Sequence, residues 1–487
     1  MNNIFICHSA NDLKIIPKHI KHVKFSNTFN SFIDLSCIPV NVKRITFGIQ
    51  YNQVSILPLH IEHVVFGYSY NQPTILPCGI QHVEFNVYYD QPTILPPSVK
   101  HAEFGIFFNQ PIELPYGIQT IIFGTRFNQC LTLPHTVINV TFGMEFNRPM
   151  TLPPNVKKVI FGNYFNHPLI LPPSIIHVEL GTNFSQPIIF PSSIEHLVLR
   201  HNKQLQLPPH LKYLSYINAS SFVLDEGYLP TTIEHLILGY GFNQKLMPNV
   251  LPLTTTHLEF GNNFNQYIER DVLPPATTHL KFGTDFNQHI ERDVLPPATT
   301  HLEFGMNFNH PLILPPSIVD LKFGCNYNKL TNLVGLEHLT HVHFGFYYNQ
   351  PTVLPSSILS VAFGYIFNEH VELPYGIESV RYGNNFNKPI TFPTSVKHIT
   401  ISVAYKHAIH LPPLLETLML LDTEDDDITV EHVRKLNAMA IEQLLCNYNI
   451  VTSNIPSKIL KEHIGQNIHN KIYKQFFLLD YIIEYVD

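Results

Sequence analysis

Charge is scarce in this chain. Asp, Glu, Lys and Arg make up 14% of its 487 residues, the net charge is −7, and no basic block occurs. Proteins that grip nucleic acid without reading sequence neutralise phosphates with clustered Lys and Arg, so that class lacks its electrostatic footprint here. Cysteine is scarce too: Cys7, Cys37, Cys78, Cys130, Cys325 and Cys446 are scattered without paired spacing. The pattern fits neither a disulfide framework nor a zinc motif. It fits free thiols in a reducing compartment, the cytoplasm of a cell or of a host cell. No apolar run is long enough to cross a membrane, so no membrane partner is expected. The N-terminal run Ile4-Phe5-Ile6-Cys7 has no basic flank and is too short for a signal peptide. A phosphate-cradling Gly-rich loop, H-E-x-x-H and G-x-S-x-G are all missing. The chain therefore reads as non-enzymatic, with no catalytic residue, cofactor or metal expected.

Aromatic residues are plentiful, with 35 Phe and 23 Tyr, and they recur in a fixed block. The block runs aromatic, Asn, often Gln-Pro, an apolar pair, Leu-Pro, a short strand pattern, then Phe-Gly. One clean copy starts at Phe108-Asn109-Gln110-Pro111-Ile112 and continues through Leu114-Pro115 to Phe123-Gly124. The Asn position recurs at Asn52, Asn71, Asp90, Asn109, Asn128, Asn147, Asn166 and Ser185, always 19 residues apart. A period near 20 is the signature of a solenoid, which grows without enlarging its core.

Counted from the first strand residue, Ile118, Ile121 and Phe123 fall at offsets 0, +3 and +5, the L-x-x-L-x-L spacing of leucine-rich repeats. The +3 and +5 side chains both point inward. Gly follows at +6 in most copies, with Ser26 and Asn86 in two. Gly and Asn share tolerance of positive φ, so the strand is expected to leave through a left-handed turn. At +10 a buried Asn is expected to bond the backbone of the coils above and below. That ladder comprises Asn52, Asn71, Asn109, Asn128, Asn147, Asn166, Asn265, Asn287, Asn309, Asn328, Asn349, Asn368 and Asn387. Two prolines per coil exclude a crossover helix from the return side. Strand starts run from Ile20 to Leu415 and define 21 coils. The coil at Leu211 is degenerate, and later coils carry the extra triplets Glu269-Arg270-Asp271 and Glu291-Arg292-Asp293, expected as solvated bumps. Residues 1–19 read as a lead-in, 20–420 as the solenoid and 421–487 as a helical segment. In that segment Ile468, Ile472, Phe476, Leu479, Ile483 and Val486 share one face of an amphipathic helix. It is placed to cap the open end of the solenoid.

The Phe-Asn-x-Pro-Ile block resembles the FNIP repeat family. The likeness is carried by Phe108 to Ile112, Phe146 to Met150, Phe165 to Leu169, Phe308 to Leu312 and Phe386 to Ile390, and spans roughly residues 15 to 420. It implies relatives in slime moulds and amoeba-infecting giant viruses, and a role in protein–protein interaction. Some family members carry an F-box, for which the 19 residues before the first strand are too few. Together, the expected fold is mainly β: a right-handed leucine-rich-repeat-like solenoid of about 21 short coils with one parallel β-sheet, plus a C-terminal α-helical cap.

The sharpest local feature is a histidine at +2. It occurs as His22, His63, His82, His101, His177, His196, His235, His257, His279, His301, His341 and His398. Offset +2 lies on the outward strand face, where imidazoles on neighbouring strands stack about 4.8 Å apart. Three readings stay open. The row is a packing relic of repeat duplication; it is a binding face that titrates between about pH 7.5 and 5.5; or it binds a divalent metal. Where the histidines lapse, Ile122 and Ile160 flank Thr141 as a candidate apolar anchor on the same face. The expected function is a non-enzymatic repeat scaffold binding a protein partner through the strand face. The alternative is a carbohydrate polymer or other repetitive ligand along the His and aromatic ladders. Self-association remains open, and the partner is unidentified.

Overall fold

The computed structural model describes residues 4–421 apart from 221–222, 403, 408 and 411. It forms two compact units, Met1–Val223 with Pro230–Ile233, and Leu224–Leu229 with Glu234–Asp487. Among the described residues there are 22 strands of three to six residues, two short 3₁₀ helices and no α-helix. Twelve strands, from Ile4–Cys7 to Tyr213–Asn218, belong to the first unit; ten, from His235–Tyr240 to Thr417–Leu421, belong to the second. Adjacent strands pair in parallel within the first unit and within the second. The fold is thus a parallel β-solenoid of about 22 turns.

One strand precedes the first expected start. Ile4–Cys7 pairs with His22–Phe25, Ile4 opposite His22 and Cys7 opposite Phe25. Its Cys7 is buried, so the segment read as a lead-in contributes a coil. Residues 422–487, where the helical cap is expected, lie outside the described residues.

Two turns close each coil. The strand-start N–H bonds the carbonyl of the Leu-Pro proline three residues back, as from Ile118 to Pro115 at 3.1 Å. The aromatic at +9 bonds the Gly at +6, as from Phe127 to Gly124 at 3.4 Å. Neither turn needs a left-handed residue at +6, and none of the +6 glycines has positive φ. The expected left-handed exit is therefore wrong, and the reason for Gly is steric. A Cβ on Gly143 would sit 2.0 Å from the Gly124 carbonyl oxygen of the coil before. Nothing in the structure explains how Asn86 fills the same place. Left-handed non-Gly residues occur instead at Asn249, Asp271 and Asp293. The last two end the charged insertions, whose Arg270, Asp271, Arg292 and Asp293 are exposed.

The core is a double column of aromatic rings. Phe123 and Phe127 stack within one coil at 3.8 Å, and onto Phe142 and Phe146 of the next coil at 5.8 and 6.1 Å. Where the +9 ring is Tyr, the fourth residue onward is Ser or Thr: Tyr70 meets Thr74 at 2.6 Å, Tyr89 meets Thr93 at 2.6 Å, and Tyr348 meets Thr352 at 2.8 Å. Each threonine gives its own proton to a carbonyl two residues back, so the phenol donates to the threonine oxygen. Where the ring is Phe, the partner is apolar, as with Phe127 and Leu131 or Phe386 and Ile390. Tyr405 precedes Ile409 and donates instead to the Lys388 carbonyl. Tyr382 stands at +5 among phenylalanines, fully buried with its hydroxyl unpartnered.

The Asn ladder runs one way. Each side-chain Oδ1 accepts the backbone N–H of its equivalent one coil on: Asn52 to Asn71, Asn71 to Asp90, Asp90 to Asn109, Asn109 to Asn128, and onward. The second unit repeats it from Asn243 through Asn265, Asn287, Asn309, Asn328, Asn349, Asn368 and Asn387. The following Gln commonly adds a bond to the same oxygen, as Gln129 does to Asn109 at 3.1 Å. These residues are half-buried to exposed rather than buried. Their carbonyl oxygen is what the next coil uses, which is why Asp90 serves in the row. Ser185 gives both its N–H and its hydroxyl to Asn166 and takes the Lys203 ammonium on its backbone carbonyl, and the first row ends there.

Asn109→Ala should lower stability by roughly 1–2 kcal/mol, since the Asn128 N–H loses its acceptor and the Gln129 side chain keeps only the Asn109 backbone carbonyl. Asn109→Asp, which keeps that acceptor, should cost less than half as much in the same thermal melts. Equal losses for both would contradict an acceptor-only role.

Candidate functional site

The +2 residues share one outward face because strand side chains alternate and the register is residue for residue. His82 lies opposite His101, with Glu84 opposite Glu103. His257 lies opposite His279, and His279 opposite His301. The expected ladder resolves into separate stacks. In the first unit His63 is tilted against His82 at 5.5 Å, and His82 stacks on His101 at 4.1 Å. Farther along, His177 stacks on His196 at 3.8 Å, and His196 on Tyr213 at 3.9 Å. In the second unit His235, His257, His279 and His301 form a run with centroid spacings of 4.0, 4.1 and 4.1 Å. His341 stands between Asp320 and Ser360, so no other histidine stacks on it from an adjacent strand. His22 and His398 bond Thr46 and Thr417.

The two units hold their rings differently. In the first, a glutamate two residues on takes the imidazole: His82 Nε2 meets Glu84 at 2.5 Å and His177 Nε2 meets Glu179 at 3.0 Å. The histidine hydrogen bond holds each carboxyl below the usual glutamate range, helped at Glu179 by Arg200. Glu103, facing Glu84 across the sheet, moves up through burial and that like charge. In the second unit the residue before four of the six +2 histidines is threonine. Thr256, Thr278, Thr300 and Thr340 place Oγ1 at 2.8–2.9 Å from Nδ1 of His257, His279, His301 and His341. Each hydroxyl also donates to a carbonyl of the previous coil, at 3.1–3.2 Å. A hydroxyl has one proton, so the imidazole must supply the other, from Nδ1. Nε2 is left as a bare acceptor. The sequence reading missed this lock, although the dipeptide Thr-His, four times in the second unit and nowhere in the first at these positions, was its signal.

Burial, then neighbouring imidazoles, pushes His257 down to about 4. His279 moves down for the same reasons. His63 and His101 are lowered by burial and His82. His201 reaches about 4 by burial. It has entered the aromatic column against Phe184, with its buried Nε2 unpartnered.

Ile122, Thr141 and Ile160 are in register on adjacent strands but only half-buried, with Thr120, Asn139 and Lys158 beside them. The most exposed isoleucines lie instead on the return side of the coils. An open cleft of about 700 Å³ also lies there, lined by Pro111, Ile112, Glu113, Leu114, Cys130, Thr132 and Pro134. It brings no base to Cys130 other than Glu113. Among the described residues no cluster of three or more His, Cys, Asp or Glu is arranged to hold a metal ion, and no helix is long and apolar enough to cross a membrane.

The FNIP Repeat family matches residues 70–107, 108–145, 146–183, 223–263 and 264–307. A solved structure described as CroV588, a novel circular LRR protein, is 32% identical with a TM-score of 0.63; the match covers 83% of this chain and 69% of that one. YopM from Yersinia enterocolitica WA-314 is 18% identical with a TM-score of 0.41, over 79% of this chain and 83% of that one. No curated protein matches the sequence.

The lowered histidines set a pH dependence. Their native values lie below the ordinary 6.5, so the folded state takes up fewer protons than the unfolded chain between about 6.5 and 4. Stability should be full above pH 6.5 and fall as the pH drops toward 4. Thermal melts across that range check it, and a flat melting temperature would contradict the neutral stacks.

Proposed function

This chain belongs to the FNIP repeat family, and on that premise we propose that it is a non-enzymatic scaffold whose strand face binds a protein partner. The observation that supports this reading most is the locked row His257, His279 and His301. Three stacked rings keep their protons turned toward threonine and their Nε2 acceptors at one-coil spacing. Ion pairs between Lys281 and Glu259 at 2.9 Å and between Lys322 and Glu303 at 3.2 Å lie in the adjoining row. Such a surface offers a fixed line of acceptors to the N–H and O–H groups of a polypeptide. It has neither a nucleophile paired with a base nor an enclosed pocket.

The polymer-ligand reading draws on exposed aromatics in the first unit. Tyr88 stacks on Phe107 at 5.0 Å, and the Arg126 guanidinium lies 4.4 Å over the Phe107 ring. These faces cover one another and are not open to a sugar ring. The protein partner is the better-supported reading.

A pull-down with the full chain tests it. The triple substitution His257→Ala, His279→Ala and His301→Ala should lose the captured partner while circular dichroism stays unchanged. Wild-type capture should persist at pH 5.5, because His257 is held near 4 and its acceptor survives the ordinary histidine range. An unchanged capture list for the triple variant would contradict the strand-face reading.

A further inference from the structure

The return side of the first unit carries a feature that the strand-face reading does not use. Five residues after each +9 aromatic, the side chain points outward. In coil order this row reads Asp34, Ile56, Ile75, Ile94, Glu113. The three isoleucines are 82%, 85% and 88% exposed. Beside them Phe32, Val54 and Leu59 are 72%, 51% and 74% exposed. Ile56 and Ile75 are joined by a parallel β-bridge, so the backbone beneath the row is itself hydrogen-bonded from coil to coil.

These six side chains present on the order of 800 Å² of apolar surface. The largest patch on an ordinary monomer is about 300–600 Å², and each partner of a standard interface buries about 800 Å². No charge interrupts the patch, and acids close the row at each end. A polyanion or a strongly basic partner therefore finds nothing to pair with at its centre. The isoleucines are spaced by the coil repeat, near 4.8 Å, and β-branched side chains at that spacing leave grooves between coils. A surface that fills those grooves needs the same repeat. The chain itself has it.

We propose that this face is the self-association surface of the protein, with a second copy as its occupant. A two-fold axis in the face sets Ile against Ile between coils and leaves Asp34 and Glu113 at the solvated rim. Salt, by screening those acids, should tighten the association rather than loosen it.

The test is sedimentation of the full chain at low and raised ionic strength. Wild type should dimerise reversibly at about 10 µM. Ile75→Lys, and independently Ile94→Lys, should weaken the dimer at least about 100-fold with an unchanged circular dichroism spectrum. Ile170→Lys, equally exposed at 87% but four coils beyond Ile94, should dimerise as wild type. A wild type that remains monomeric to about 100 µM overturns the proposal and leaves the face to another occupant, residues 422–487 of the same chain included. Dimerisation unaffected by both lysine variants, or abolished equally by Ile170→Lys, overturns it too.

Discussion

Parallel pairing in which every residue lies over its repeat equivalent is the constraint on which this structure depends. At about 4.8 Å between coils, a side chain's nearest neighbour along the solenoid is a copy of itself. Whatever occupies a repeat position must tolerate its own kind above and below. Flat aromatic rings do, and Phe104, Phe123, Phe142 and Phe161 stack in sequence at 5.5–5.8 Å. Asn does, because its carbonyl accepts the next coil's N–H while it offers its own N–H to the coil before. A neutral imidazole does, at a ring spacing near 4.1 Å. A repeated formal charge does so only at a cost, as at Glu103, which burial and the like charge of Glu84 push up, and this fits the scarcity of charge. Where charges do stand on adjacent strands of the outward face they tend to alternate in sign, as in Glu259, Lys281, Glu303 and Lys322.

The same constraint explains the neutral histidines. A protonated ring at His257 would sit between two equivalents, so burial and those neighbours keep it uncharged far below its ordinary range. Threonine completes the arrangement by taking the Nδ1 proton. The outcome is a polar face that is electrically quiet and geometrically fixed, suited to recognition by hydrogen-bond acceptance. The return side meets the constraint with β-branched residues, and its exposed isoleucine row is the apolar counterpart of the histidine row.

Much of the fold was legible because the repeat reports on itself. Phe at +5, the Asn row and the histidine face could be placed from spacing alone. The reasons behind individual residues were less legible. Gly at +6 suggested a left-handed turn, whereas the cause is the carbonyl of the preceding coil, a contact between residues 19 apart that local rules do not see. The coupling of Tyr70 to Thr74 and of Tyr327 to Thr331 is written in the sequence, but it becomes meaningful only once the ring and hydroxyl are known to be buried together. Ile4–Cys7 is hard to read as a strand from sequence because it has Cys7 where most coils carry Phe at +5 and no proline ahead of it. The Thr-His lock depends on a hydroxyl proton being committed to a carbonyl one coil away, which no spacing argument reveals.

The central claim is that side-chain acceptors extend the axial hydrogen bonding beyond the sheet. Amide hydrogen exchange of the intact chain tests it most directly, read at Asn71, Asn109 and Asn128. Their N–H groups lie outside every strand but face an Asn or Asp oxygen at 2.9 Å. They should exchange slowly, at rates close to the strand amides of Ile121 and Val140 in the same unit. Exchange as fast as that of an exposed loop amide would contradict the account.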